Sequence, residues 1–236
     1  MPSGATQLSA IGFDADDTLW QNEQFYRLTE RRFTSLLAAY AEPDHLSGRL
    51  LEAERRNLKA YGFGIKGFTL SMIETAIEVT EGRVPASVIR ELVDAGRDLL
   101  SHPVEPLPHA RATLERLSGD YRLILITKGD LFDQERKLAQ SGLGELFAAV
   151  EIVSDKSAAV YERVFARHGD GAERAMMVGN SLRSDIVPAL KAGCWGVHVP
   201  HSLTWALEQD EVPAGNRRYR HIAHLGELPD VVGGIG

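Results

Sequence analysis

One short strand constrains this chain more than any other feature. Residues 8–14, LSAIGFD, form an apolar run that ends in a carboxylate. The run is too short for a helix and reads as a buried strand. A lone strand needs partners, and the stretch that follows offers none. From Asn22 to about Ser101 the texture is helical. NEQFYRLTERRFTSLLAAYA places Phe25, Leu28, Phe33, Leu36 and Leu37 at helical spacing with charges between them. Pro43 starts a second helix, Asp44 to Tyr61, and YGFGIKG then breaks the pattern with three glycines. FTLSMIETAIEV reads as a third helix, and Pro85 opens a fourth that runs to about Leu100. Four such helices with short links describe a helical bundle.

After the proline-rich link HPVEPLP, residues 102–108, the texture changes. Helices at Ala110–Leu117, Leu131–Gln140, Ala158–His168 and Ile186–Ala192 alternate with strands at Tyr121–Thr127, Phe147–Val153, Ala175–Val178 and Trp195–Val199. Alternation at these lengths implies a Rossmann-like parallel sheet with helices on both faces. This sheet is where the first strand finds its partners. The expected organisation is therefore an α/β core, residues 1–20 and 104–236, interrupted by a helical insertion, residues 21–103. The tail VVGGIG carries no pattern and is expected to be loose.

Composition removes several function classes. The 236 residues carry 26 basic and 33 acidic side chains, a formal net charge of −7, so a general nucleic-acid binder is not expected. The one cysteine, Cys194, permits neither an intrachain disulfide nor a multi-cysteine metal site, which fits a reducing compartment. Met1 to Ser9 shows no charged region leading into an apolar one, and no apolar run approaches membrane-spanning length. The expectation is a soluble cytoplasmic protein that binds no membrane, with an oligomeric state the sequence leaves open.

In open parallel sheets, ligands sit outside the carboxyl ends of the strands. The first strand ends in Asp14-Ala15-Asp16-Asp17-Thr18 and the second in Thr127-Lys128-Gly129. Ser154-Asp155-Lys156 follows the third, and Gly179-Asn180-Ser181 ends the fourth, with Asp185 five residues beyond Asn180. Each piece alone has an ordinary reading. An Asp-x-Asp caps a turn, Thr127 caps a helix, Lys156 is a surface charge, and Asp185 suits a helix first turn. Their joint occurrence at converging strand ends is much less ordinary.

That set, in that order, resembles the haloacid dehalogenase-like hydrolase superfamily. The motifs are FDADDTLW, the strand LILIT ending in Thr127, Lys156, and VGNSLRSDI with Asn180 and Asp185. A helical insert between the first two motifs resembles the superfamily's C1 cap. The resemblance implies Mg²⁺-dependent hydrolysis of a small phosphorylated metabolite through an aspartyl-phosphate. The chemistry of the residues agrees. A carboxylate attacks a phosphoryl group to give an acyl phosphate that water can hydrolyse, and Asp14 is the candidate. A second carboxyl two residues on, Asp16, serves as acid and then as base. Mg²⁺ suits oxygen ligands: Asp14, the backbone carbonyl of Asp16, Asn180, and Asp185 directly or through water. Lys156 neutralises Asp14 and the phosphate, while the Thr127 hydroxyl and backbone N–H groups at helix starts, near Gly129, hold the phosphate oxygens.

Three positions depart from the family pattern. Asp17 stands where glycine is common, and either adds charge or caps a turn. Lys128 stands where Asn often follows the threonine, and either meets a second substrate anion or lies on the surface. Asn180 stands where Asp is usual and offers an uncharged oxygen. In the insertion, YGFGIKG is either a plain loop or a substrate contact through Tyr61 and Lys66. A cap of this kind is expected to hinge near Trp20–Asn22 and Pro103–Pro108. Three alternatives stay open: a sugar phosphomutase with the same motifs, a 2-haloacid dehalogenase, against which Asp16 argues, and a non-catalytic metabolite-binding protein.

Overall fold

Every residue of strand β1, Ala10–Phe13, is buried, as a strand covered on both faces of a parallel sheet requires. The computed structural model describes residues 8–235. Residues 1–7, part of the expected core segment 1–20, and Gly236 lie outside the described residues. Five more strands follow: β2 (Arg122–Lys128), β3 (Ala149–Val153), β4 (Ala175–Gly179), β5 (Trp195–His198) and β6 (Tyr219–His221). Among the described residues these six form one sheet in the order β3-β2-β1-β4-β5-β6. All neighbouring pairs are parallel. The chain builds outward from β1 to β3, then returns to place β4 on the other side of β1. The strand order therefore reverses at β1, the position where open parallel sheets bind ligands. Phe13 pairs with Leu125 on one side and Val178 on the other, which brings three strand ends level.

Alternation along the strands builds two cores. Ile11, Phe13, Leu123, Leu125, Met176 and Val178 pack on one face with Leu114, Leu117, Leu143 and Leu228. Ile124, Ile126 and Met177 pack on the other with Tyr161, Val164, Phe165 and Cys194. The helices over the sheet include α5 (Ala110–Leu117), α6 (Leu131–Ser141), which adds Leu138, α7 (Ala158–His168) and α8 (Val187–Lys191), which adds Ala189. α8 is preceded by a π-helical turn, Leu182–Ile186, so helical structure begins four residues before the expected start at Ile186. The tail expected to be loose instead contributes a short helix, α9 (Leu228–Gly233), with Leu228 and Val232 buried. Its two apolar anchors sit four residues apart on one face, a signal too short to stand out in sequence.

The chain divides into two compact units: residues up to 21 with 104–128 and 134–236, and residues 22–103 with 129–133. The second unit is helical, built from α1 (Glu23–Leu36), α2 (Pro43–Tyr61), α3 (Ile65–Val79) and α4 (Ala86–Ser101). Phe33, Leu46, Leu50, Phe68, Met72 and Leu92 are in its core, with Phe25 and Ile73 packed against it. α3 starts at Ile65, three residues before the expected start, so Lys66 lies in a helical first turn and not in a loop. Residues 129–133, read from sequence as part of the α/β core, group with this unit, where Lys66 Nζ donates to Asp130 Oδ2 at 2.8 Å. In the α/β unit, the segments leading into and out of the insertion run side by side. Leu107 N–H donates to the Leu19 carbonyl at 2.8 Å, and Gln21 N–H to the Glu105 carbonyl at 2.9 Å. Among the described residues, no helix is long and apolar enough to cross a membrane.

Candidate active site

Asp14 is fixed by the sheet itself. Its N–H donates to the Val178 carbonyl at 2.9 Å, extending the β1–β4 ladder by one residue. Its carboxylate accepts from Lys156 Nζ at 2.5 Å on one oxygen and from Thr18 Oγ1 at 3.0 Å on the other. Lys156 also donates to Asp185 Oδ1 at 2.7 Å. Asp185 in turn accepts at Oδ2 from the Ser181 N–H at 3.0 Å. It rests directly on β4: a Cβ placed on Gly179 would lie 2.2 Å from Asp185 Oδ2. A side chain at position 179 and a carboxylate from position 185 cannot both occupy that space.

Two carboxylates thus share one ammonium in a dry site; the Lys156 side chain is 1% exposed. Burial and the neighbouring Asp185 raise the Asp14 carboxyl to about 7, against the opposing pull of Lys156. Burial disfavours the Lys156 ammonium, but Asp14 and Asp185 outweigh it and hold that group above the ordinary lysine range.

Asp16 lies two residues on, and both its oxygens accept hydrogen bonds. Trp20 Nε1 donates to Oδ1 at 2.7 Å, and Lys137 Nζ lies 3.0 Å from each oxygen. Gln134 Nε2 reaches Oδ2 at 3.3 Å. The same Gln134 amide donates to Thr127 Oγ1 at 2.7 Å. Since Thr127 accepts there, its own hydrogen can point elsewhere. Gln134 and Lys137 sit three residues apart on α6, hence on one helix face. Sequence reasoning missed both; the available signal was a buried polar pair on the face that should meet the sheet.

Asp17 occupies the left-handed region, with φ 59°. That explains why glycine suits this position, and Asp is among the residues that tolerate it. Its N–H donates to the Trp20 carbonyl at 2.8 Å, closing the turn, and its carboxylate lies 3.6 Å from His201 Nδ1. Asn180 is tied to the first motif: its N–H donates to Thr18 Oγ1 at 3.1 Å, and its Oδ1 lies 3.3 Å from the same hydroxyl.

Lys128 donates to Ser184 Oγ at 2.7 Å and to a Glu208 carboxylate oxygen. Burial works to raise the Glu208 carboxyl, but the Lys128 charge and hydrogen bonds from Lys128, Ser181 and Ser184 leave it below the ordinary carboxylate range. Glu208 was not singled out from sequence; it lies in ALEQDE, outside every motif quoted above. Gly129 has φ 143°, a conformation that favours glycine. The structure brings together Asp14, Asp16, Thr127, Lys128, Lys156, Asn180 and Asp185 at the strand ends of the α/β unit. Tyr61 and Lys66 belong to the helical unit, where Tyr61 Oη donates to Glu74 at 2.8 Å and Lys66 pairs with Asp130.

For a cation, the strand ends offer the carboxylates of Asp14 and Asp185 and the amide oxygen of Asn180. Among the described residues, no three His, Cys, Asp or Glu side chains gather into a metal-binding group. Any cation held here would therefore depend on neutral oxygen donors as well as carboxylates.

The chain is similar to several known proteins over most of its length. A solved haloacid dehalogenase-like family hydrolase from Xanthomonas campestris is 44% identical, with a TM-score of 0.87 over 97% of this chain and 91% of that one. A glyceraldehyde 3-phosphate phosphatase from Methanothermobacter thermautotrophicus is 25% identical over 95% of this chain and 100% of that protein. A pyrimidine 5'-nucleotidase, YjjG, from Escherichia coli is 24% identical over 78% of this chain and 84% of that protein. The family model for haloacid dehalogenase-like hydrolases matches residues 8–193, which span strands β1 to β4 and the site residues at their ends but not Glu208. The chain belongs to the haloacid dehalogenase-like hydrolase family.

Proposed function

We propose that the protein hydrolyses the phosphomonoester of a small metabolite through an aspartyl-phosphate on Asp14, with Mg²⁺ bound. The observation that carries this reading is the shared ammonium: Lys156 holds Asp14 and Asp185 at 2.5 and 2.7 Å near a third carboxylate, Asp16. The donor set fits Mg²⁺. Asp14, Asp185, Asn180 and the Asp16 carbonyl are all oxygen donors. Burial and Asp185 lift the Asp14 carboxyl to about 7, which marks a site short of positive charge. When bound, the cation neutralises phosphate oxygens and the negative charge of the two carboxylates.

The protein's own groups divide the remaining work. An Asp14 oxygen forms the new bond to phosphorus as the ester P–O bond breaks. Asp16 gives its proton to the leaving alkoxide, then takes one from the water that attacks the acyl phosphate. Inorganic phosphate leaves and Asp14 returns as a carboxylate. Lys156 cancels charge that would otherwise repel the phosphate. Gln134 donates to Thr127 Oγ1, so the threonine hydrogen is available to a phosphate oxygen.

The test is hydrolysis of p-nitrophenyl phosphate and a panel of phosphorylated metabolites, with Mg²⁺ and with EDTA. Turnover that requires Mg²⁺ and vanishes in Asp14→Asn is expected. Metal-independent chloride release from a 2-chloroacid, with no phosphate release from any ester, would overturn the reading.

A further inference from the structure

Lys128 follows the phosphate-binding Thr127, yet its ammonium is engaged inside the protein. It donates to Ser184 Oγ at 2.7 Å and to one Glu208 oxygen. The other Glu208 oxygen accepts from Ser181 Oγ and from Ser184 Oγ, each at 2.5 Å. The Ser184 hydroxyl therefore accepts from the lysine and donates to the glutamate, and the three groups form a closed ring. Ser181 Oγ also accepts from the Ser184 N–H at 2.9 Å. Lys128 and Glu208 side chains are each 14% exposed, so this is a largely desolvated pair.

The two serines flank the residues that matter. Ser181 follows Asn180, and Ser184 precedes Asp185. Ser181 caps, and Ser184 lies within, a single π-helical turn, Leu182–Ile186, in which Asp185 N–H and Ile186 N–H donate to the Ser181 carbonyl at 3.0 and 3.2 Å. A single helical turn does not hold its own geometry. Glu208 supplies the missing restraint from outside, out of a single 3₁₀ turn, Ala206–Glu208.

We infer that Glu208, charge-balanced by Lys128, is a positioning residue for the cation site: it clamps Ser181 and Ser184 so that Asn180 and Asp185 face a metal held with Asp14. Lys128 then serves as an internal counter-ion and does not read a second substrate anion. The inference rests on the Mg²⁺ reading proposed above. Groups that orient metal ligands are typically worth about 10–100-fold in metal affinity.

The test is calorimetric titration of Mg²⁺ into the metal-free full-length protein, with unfolding stability measured in parallel. The variants are Glu208→Ala and the double variant Lys128→Met/Glu208→Leu. Wild type is expected to bind Mg²⁺, and both variants to bind about 10–100-fold more weakly. Glu208→Ala removes the carboxylate that balances the Lys128 charge, so it is expected to lose stability; the double variant removes both charges and is expected to regain much of it while Mg²⁺ binding stays weak. If Glu208→Ala does not fold, the double variant carries the measurement. A double variant that binds Mg²⁺ as tightly as wild type would overturn the inference and leave the proposed function standing. Wild-type protein that binds no Mg²⁺ would overturn both.

Discussion

Replacing Lys156 by methionine keeps most of the length of the side chain and removes its charge. The structure says what is left behind. Asp14 and Asp185 lose the donor at 2.5 and 2.7 Å, and two buried carboxylates remain in one pocket. Removing one member of a buried ion pair typically costs about 3–5 kcal/mol, because the remaining charge is uncompensated. Here two partners are stranded, but the Asp14 carboxyl, already raised to about 7, can take a proton and limit the loss. A cost within that range is therefore expected near neutral pH. For a chain of this size it corresponds to a fall in Tm of roughly 6–20 °C. The assay is denaturant unfolding in EDTA, with Lys191→Met, a change at an exposed lysine, as the control. Added Mg²⁺ should raise the stability of Lys156→Met more than that of wild type, since a divalent cation replaces the missing charge. A cost below about 1 kcal/mol, no larger than that of an exposed ion pair, would mean that the shared-ammonium geometry is not the arrangement in solution.

Three further outcomes follow from the same geometry. Asp16→Asn should slow hydrolysis of an alkyl phosphate by about 10²–10⁴-fold and that of p-nitrophenyl phosphate much less, because a phenolate leaves without a proton; equal losses would reject the acid role. Asn180→Asp should lower the Mg²⁺ concentration for half-maximal activity. At about 4 Å and an effective dielectric near 20 an added charge is attracted by roughly 4 kcal/mol, and a quarter of that surviving desolvation gives about fivefold; an unchanged requirement would place Asn180 away from the metal. Gly179→Ala puts a methyl 2.2 Å from Asp185 Oδ2, so activity should collapse with a stability loss of about 1–3 kcal/mol, and an active, stable variant would contradict the packing of Asp185 on β4.

What the sequence made legible follows the range of the forces involved. LSAIGFD and YRLILIT bury side chains on both faces, so they read as strands, and their order fixed where the site had to be. β6, Tyr219–His221, was missed because a short, polar edge strand carries no apolar signature. The start of α3 was missed because Gly64 and Gly67 mask a helix that begins between them. Asp14, Asp16, Thr127, Lys156, Asn180 and Asp185 were each readable from their places at strand ends. Their supporting partners were not. Lys137 meets Asp16 across 121 residues and Glu208 meets Lys128 across 80, and no periodicity reports contacts of that range. For Lys128 the reading left a choice between a substrate anion and the surface. Neither includes a half-buried glutamate, which becomes visible only when the loop after β5 is folded. For Asp17 the turn reading matches the geometry, since φ 59° and the N–H bond to Trp20 close the first-motif loop.

The central claim is that Asp14 becomes phosphorylated. Rapid acid quench of the Mg²⁺-loaded protein during turnover of a ³²P-labelled phosphomonoester tests it most directly. The account predicts covalent label that survives acid, is released by hydroxylamine as an acyl phosphate must be, maps to the peptide containing Asp14, and is absent from Asp14→Asn. Phosphate release at full rate with no label trapped, or label on any other residue, would contradict it.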